Sequence, residues 1–485
     1  MALLLKIIKL NKKNLTILFF SYFLIFFGLW IINTFGNHVN YVEIIYSIYV
    51  NFSGIKDTPI EYKLSFYLYT IILPILFSTL TFIFVDKLKN NKTLKKNKLF
   101  IFFHSKRFFQ IFIFSYGIIL VYTISVFISF FNFYDYVSGY IKYNRFPHLY
   151  SNPSNIKFLN PNDQKNLILF YFESLEYDID LIVNSSDLNP IKDINNLKGK
   201  NVFNFKEAPT TSFSIAGVVA SQCSLPFYPI ISTNLKNLDQ NNLTCLSDIL
   251  AEKNYKQIFY ITVDKDFHNF GQYKEAHNYI VYDKNIIVKD FPDVDPDGWG
   301  NGVFDDTMLK HAKREIIKTY KEGKKFNFTI INTDTHPPYK ISPRCKIPEI
   351  DNRDSLVHKA YKCSSMFVKK FFDDLEKEGV LEDTVVVIMG DHLAHKDLDT
   401  KTRNQRNIYF KLNTSNKFNR NKMNHFDVAP TILDELGFLP KEQNKFGFGV
   451  SLFNENINFD YDKHYEKVMN KDVLSDYYLR QLLSK

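Results

Sequence analysis

Three stretches of this chain run for more than twenty residues without an Asp, Glu, Lys or Arg: Leu15–Phe35, Leu64–Val85 and Phe108–Phe131. Crossing the hydrocarbon core of a bilayer takes about 20 apolar residues in a helix, so each stretch is expected to span a membrane. Pro74 is expected to kink the second, because it supplies no backbone N–H. The first is too long for the apolar core of a cleaved signal peptide, about 7–15 residues, and no small-residue cleavage site follows it. It reads as a retained anchor. The intervening "YVEIIYSIYV" (41–50) carries Glu43 and is too short to span. It suits an interfacial or re-entrant helix, or one packed against the other helices.

Charge placement gives the expected orientation. Lys6, Lys9, Lys12 and Lys13 precede the first span, and the second loop holds Lys87, Lys89, Lys92, Lys95, Lys96, Lys98, Lys106 and Arg107. The loop between the first two spans has only Lys56 and Lys63. Basic loops stay in the cytoplasm, so everything after about residue 135 is expected outside it. Much of the net charge of +9 lies in these flanks, which argues for topology control and against a nucleic-acid surface. The 48 Phe and 30 Tyr partly belong to the apolar spans and carry no functional inference.

The chain is expected to divide into a membrane domain (1–134), a linker (135–165) containing "RFPHLYSNPSN", an extracytoplasmic domain (166–455) and a C-terminal helical tail (456–485). Within the third part, short apolar runs alternate with helix-like segments, the pattern of a mostly parallel α/β sheet. Strands are predicted at 166–172, 257–263, 326–333, 384–390 and 407–412. All four cysteines lie beyond the spans, in a compartment that permits disulfides. Cys223 with Cys245 and Cys345 with Cys363 are candidate pairs; four cysteines allow three connectivities, and a free Cys223 is an alternative.

The residues just past the strands carry the chemistry. "NLILFYF" runs into Glu173, "FNFTIINT" into Asp334 and His336, and "TVVVIMG" into Asp391 and His392. Ligand sites in open α/β sheets form beyond the carboxyl ends of strands, and Glu, Asp and His are divalent-metal ligand types. A run of hydroxyls, Thr210, Thr211, Ser212 and Ser214, stands before the small-residue segment "IAGVVASQC". These side chains read either as helix caps or as a nucleophile at a helix start beside a cation.

In that order, "NLILFYFESLEYD", "TTSFSIAGVVASQCSLP", "NTDTHPP" and "GDHLAH" resemble the membrane-anchored phosphoglycerol transferases and lipoteichoic acid synthases of the alkaline phosphatase and sulfatase superfamily. "RNQRNIYFKL" and "HFDVAPTILDELGF" extend the resemblance to about residue 440. It implies transmembrane helices followed by a sulfatase-like α/β domain. It makes Glu173, Asp391 and His392, with the Ser214 oxygen, ligands of one divalent ion, Mn²⁺ before Mg²⁺ or Zn²⁺. Ser214 is implied as nucleophile where relatives commonly carry Thr, with Ser212 and Thr211 as neighbouring alternatives. His336 is implied at the substrate phosphate or a leaving oxygen, Trp299 in the headgroup pocket, and Arg406 at phosphate. His395 is within reach of the site only if a turn brings it there.

The implied reaction moves phosphoglycerol from phosphatidylglycerol to a glycan hydroxyl at a bacterial inner membrane, with the catalytic domain in the periplasm. A phosphoethanolamine transferase is the enzymatic alternative, and a non-catalytic membrane sensor or scaffold the other. The "C/S-x-P-S-R" pattern of sulfatase nucleophiles is absent around residue 214.

Overall fold

The computed structural model describes residues 12–35, 60–90, 149–177, 179, 189–227, 243–294, 296–346, 356–394, 405–443, 445–455 and 459–470. The third apolar stretch, the 41–50 segment, most of the basic loop and His395 lie outside these residues. The chain divides into two compact units.

In the first unit, α1 (Lys12–Phe35) contains the first apolar stretch. The second stretch is helical from Ile60 to Asn90, as α2 (Ile60–Tyr67), a π-helical turn (Leu68–Ile72) and α3 (Leu73–Asn90). The wide turn lies immediately before Pro74, whose ring cannot accept an unbroken α ladder behind it. α1 meets the second segment through Tyr22 and Thr81, whose hydroxyls are 2.9 Å apart, and through the Phe26 and Phe77 rings at 5.1 Å. Leu64, Ile72 and Leu80 remain 63%, 54% and 53% exposed. Leu64–Thr81 is long and apolar enough to cross a membrane.

The second unit is built on a seven-stranded sheet: β1 (Asn166–Phe172), β2 (Lys200–Asn201), β3 (Lys256–Ile261), β4 (Ile280–Tyr282), β5 (Phe326–Ile331), β6 (Thr384–Gly390) and β7 (Phe410–Leu412). They lie in the order β2-β7-β6-β1-β5-β3-β4. β1, at the centre, is buried along its whole length, as a continuous apolar run demands when both faces are covered. One face packs Ile168, Phe170 and Phe172 on α7 (Asp305–Lys321) and α8 (Leu356–Lys377). The other turns Tyr171 toward α4 (Ser214–Cys223), where its hydroxyl lies 2.6 Å from Ser221 Oγ. Beyond α4 come α5 (Leu246–Glu252) and α6 (Phe270–Ala276). A further helix, Tyr461–Val468, falls in the segment read as the C-terminal tail.

The expected mostly parallel sheet is present, and β7 runs antiparallel to β6 and to β2 within it. The run predicted at 407–412 joins the ladder only at its last three residues, and β2 and β4 are additional short strands. Cys223 bonds to Cys245 and Cys345 to Cys363, which excludes the free Cys223. With chain separations of 22 and 18 residues, each link removes loop entropy worth about 3 kcal/mol from the unfolded chain.

Candidate active site

Parallel pairing sets the heights of the strand ends. Phe172 of β1 is level with Gly390 of β6, so Glu173 and Asp391 leave the sheet side by side. Gly390 has no alternative: a Cβ there would lie 2.0 Å from the Leu175 carbonyl oxygen. On the other side, Asn332, just past β5, accepts the Glu173 N–H at 2.8 Å. The chain then turns at Ser174, which has a left-handed φ of 57°. That turn aims the Ser174 N–H at Asp391 Oδ1, 2.8 Å away, and such strain is characteristic of sites whose surroundings over-determine it.

α4 closes the site from above. Its N-cap is Phe213, which offers no side-chain cap, and Ser214 is the first helical residue. The hydroxyl run is therefore not a capping device. Thr211 Oγ1 donates to the Ala208 carbonyl at 2.7 Å. Ser214 Oγ donates to Glu173 Oε2 at 2.9 Å and lies 3.3 Å from His392 Nε2. The small residues of the helix permit close seating: a Cβ on Gly217 would fall 2.0 Å from the Asp391 carbonyl oxygen.

Glu173, Asp391 and His392 are all buried, with ligand atoms within 4.8 Å of one another. His392 Nδ1 donates to the Leu393 carbonyl at 2.8 Å, leaving Nε2 inward, 3.4 Å from Glu173 Oε1 and 3.6 Å from Asp391 Oδ2. Asp391 Oδ1 accepts two backbone N–H groups, from Ser174 and His392. Its Oδ2 is buried with no hydrogen-bond partner. A carboxylate oxygen so placed costs free energy unless something positive meets it. Two carboxylates, an imidazole lone pair and a hydroxyl converging there form a donor set that fits a divalent cation.

The electrostatics report the same need. Burial alone would raise the Glu173 carboxyl, but His392, reinforced by Ser174 and His336, holds it well below the carboxylate range. Asp391 is raised by burial and by the neighbouring Glu173 charge. His392, although burial opposes its charge, is raised to about 10 by the two carboxylates. A proton on His392 thus answers the charge that a cation answers when bound.

His336 stands beyond β5 with its Nδ1 donating to the Pro337 carbonyl at 2.7 Å. Its ring centre is 4.2 Å from that of Trp299, whose Nε1 donates to the same carbonyl at 2.8 Å. Burial lowers the His336 pKa against the pull of Glu173. Arg406 is not brought to this cluster. It is wholly buried, donating from Nε to Glu176 Oε2 at 2.7 Å, from Nη2 to Glu176 Oε1, and to the Ala394 carbonyl at 2.8 Å. Its charge is committed to Glu176, and it braces the loops that lead away from Glu173 and His392.

Two histidines outside the predicted set belong here. His425 donates from Nε2 to the Asp391 carbonyl at 2.7 Å and accepts the Ala208 N–H on Nδ1 at 3.2 Å. It ties the loop before α4 to the end of β6. It lies in "HFDVAPTILDELGF", but no pattern there announces its role. His268, just beyond β3, is held to about 3 by burial and then by His336. Inspecting the residues after the 257–263 run, as for the other strands, would have found it.

A family model described as Sulfatase matches residues 165–438. The chain belongs to the sulfatase family. This member of the alkaline phosphatase superfamily is 28% identical over 352 residues to phosphoglycerol transferase I of Citrobacter koseri, covering 68% of this chain and 44% of that protein. It is likewise 28% identical over 298 residues to phosphoglycerol transferase I of Salmonella arizonae, covering 57% and 38%. The chain thus spans less than half the length of these relatives. Among solved structures, the lipoteichoic acid synthase LtaP from Listeria monocytogenes superposes with a TM-score of 0.50 at 19% identity, over 62% of this chain and 79% of that one. That likeness is one of fold.

Proposed function

We propose that this sulfatase-family chain is a membrane-anchored, metal-dependent transferase that moves a phosphoglycerol group from phosphatidylglycerol to a glycan hydroxyl through a covalent intermediate on Ser214. The observation that carries the reading is the position of Ser214 Oγ, bonded to Glu173 Oε2 and beside His392 Nε2 at the first turn of α4. Distant similarity to phosphoglycerol transferase I supports the lipid donor and glycan acceptor.

Glu173, Asp391 and His392, with Ser214 Oγ, would hold one divalent ion, and the carboxylate-rich set favours Mn²⁺ over Mg²⁺ or Zn²⁺. When bound, the ion lowers the hydroxyl pKa and offsets charge developing on phosphorus-bound oxygens. In the first half-reaction the bond from Ser214 Oγ to phosphorus forms, and the phosphorus–oxygen bond to diacylglycerol breaks. The proton lost by Ser214 balances the one gained by diacylglycerol. In the second, the acceptor hydroxyl attacks phosphorus, Ser214 leaves, and one proton returns to Oγ. His336 suits that transfer: with Nδ1–H on the Pro337 carbonyl and burial keeping the ring neutral, Nε2 is its proton acceptor. Trp299 fixes the His336 ring and walls the headgroup side.

The apolar exteriors of α1–α3 support residence in lipid, and the lysine distribution supports a periplasmic catalytic domain at a bacterial inner membrane. Anchoring holds the site near its donor and replaces a bimolecular search by a local one. The test is incubation of the detergent-purified protein with phosphatidylglycerol, then mass spectrometry of the peptide containing Ser214. A glycerophosphate adduct on Ser214 is expected. Turnover without that adduct, or an adduct on Ser212 or Thr211, would overturn the assignment. Trapping only from phosphatidylethanolamine would redirect the donor to ethanolamine phosphate.

A further inference from the structure

The ends of three helices meet on the side of α4 away from Ser214. Cys223 is the last residue of α4, Cys245 the N-cap of α5, and His277 the C-cap of α6. Cys223, Cys245 and His277 are all buried, and the two cysteines share a disulfide. Asp248 Oδ2 accepts the Cys245 N–H and faces His277 Nδ1, each at 2.8 Å, while Oδ1 accepts Asn278 Nδ2. A carboxylate that accepts throughout requires the hydrogen on His277 Nδ1, so in the neutral ring Nε2 is the lone pair. Nε2 is 3.9 Å from Cys245 Sγ. A disulfide sulfur carries no hydrogen, so in the oxidised protein that contact gives the buried lone pair no donor. Tyr273 contributes a hydroxyl 3.1 Å from Cys223 Sγ and 4.0 Å from Cys245 Sγ, a donor aimed at both sulfurs. These groups are surplus to a structural disulfide and suited to thiolates.

We propose that reduction of the Cys223–Cys245 disulfide opens a second metal site, in which Cys223 Sγ, Cys245 Sγ and His277 Nε2 bind one Zn²⁺ or similar thiophilic divalent ion. With metal–sulfur bonds of about 2.3 Å and metal–nitrogen bonds of about 2.0–2.1 Å, tetrahedral ligation sets sulfur and nitrogen about 3.6 Å apart. The 3.9 Å from Cys245 Sγ to His277 Nε2 is already close to that spacing, and Cys223 Sγ must swing into its place once the sulfur–sulfur bond is broken. Asp248 on His277 Nδ1 is the carboxylate that orients a ligating imidazole. The balance is simple: a dithiol reductant becomes a disulfide as Cys223 and Cys245 become thiols, and ion binding releases their two protons. The site is chemically unlike the carboxylate-rich cluster at Ser214. It alters what fastens the far end of α4, a covalent link or a metal.

The test is Co²⁺ titration of the full-length protein in detergent, oxidised or reduced with a water-soluble phosphine and desalted under argon. Freed thiols are located by alkylation and mass spectrometry. Sulfur-to-cobalt charge transfer reports thiolate ligands and is silent at oxygen- and nitrogen-only sites. The band is expected only after reduction, saturating at one ion per chain. It is lost in Cys223→Ser, which keeps Cys345 and Cys363, and retained in Asp248→Asn with roughly 10–100-fold weaker affinity. His277→Gln, which leaves the disulfide intact, is expected to weaken binding at least as much and serves if the serine variant does not fold. Free Cys223 and Cys245 thiols without the band, a band unchanged in His277→Gln, or a pair that resists reduction until the protein unfolds would each overturn the proposal.

Discussion

Gly217→Ala sets two effects against each other whose sizes decide the outcome. In an isolated helix the change is favourable by about 0.5–1 kcal/mol, because Gly loses more backbone freedom on folding. In this helix the new Cβ would sit 2.0 Å from the Asp391 carbonyl oxygen and 2.9 Å from its carbon. Both are backbone atoms, so no side-chain rotation relieves the contact, and α4 must retreat by at least about 1 Å to reach tolerable packing. Overpacking of this kind costs roughly 1–3 kcal/mol, more than the propensity gain. Ser214 lies three residues earlier on the same helical face, so it withdraws with the helix, and a misplacement of about 1 Å can cost roughly 100-fold in rate. The expected variant is folded, about 1–2 kcal/mol less stable than wild type, and about 100-fold slower on phosphatidylglycerol. Thermal unfolding in detergent and a headgroup-release assay measure the two quantities. A variant with wild-type turnover and a raised melting temperature would refute the seating of α4 on β6.

Ser214→Ala should lower turnover by roughly 10⁴-fold or more while plasma emission spectrometry still finds nearly one metal ion per chain, since Glu173, Asp391 and His392 remain. Arg406→Met removes the cation paired with the buried Glu176 carboxylate and should cost about 3–5 kcal/mol in denaturant unfolding, with much of the loss recovered when Glu176→Leu is added. His425 has its pKa pushed down to about 4 by burial, below the unfolded value near 6.5. The unfolded state therefore binds the extra proton between those values, so stability is full above about 6.5 and falls by up to about 3 kcal/mol as pH drops toward 4. His425→Asn should be less stable than wild type at neutral pH and should show a flatter decline, measured by denaturant titration at several pH values.

β1 and β6 were legible to the residue because both are fully buried, and such strands write themselves as unbroken apolar runs between polar neighbours. β4, three residues at the sheet edge, leaves no comparable run. The direction of β7 was not legible, because side-chain alternation is the same whichever way a strand points. Strand-end chemistry exposed Glu173, Asp391 and His392, since each comes at or next to the end of its strand. Ser214 was ambiguous because a hydroxyl at an N-cap and one at the first helical position look alike in sequence. His425 acts through the Asp391 backbone carbonyl, an acceptor that every residue offers. Arg406 reads as a solvated loop residue until tertiary folding sets it against Glu176.

The proposed chemistry requires Glu173, Asp391, His392 and Ser214 to converge on one divalent cation. Crystals of the full-length protein grown with Mn²⁺ and measured near the manganese edge test that convergence most directly. A single anomalous peak is expected, about 2.0–2.3 Å from a Glu173 oxygen, Asp391 Oδ2, His392 Nε2 and Ser214 Oγ. Mn²⁺ bound elsewhere on the chain, with none of those four atoms touching it, would contradict it.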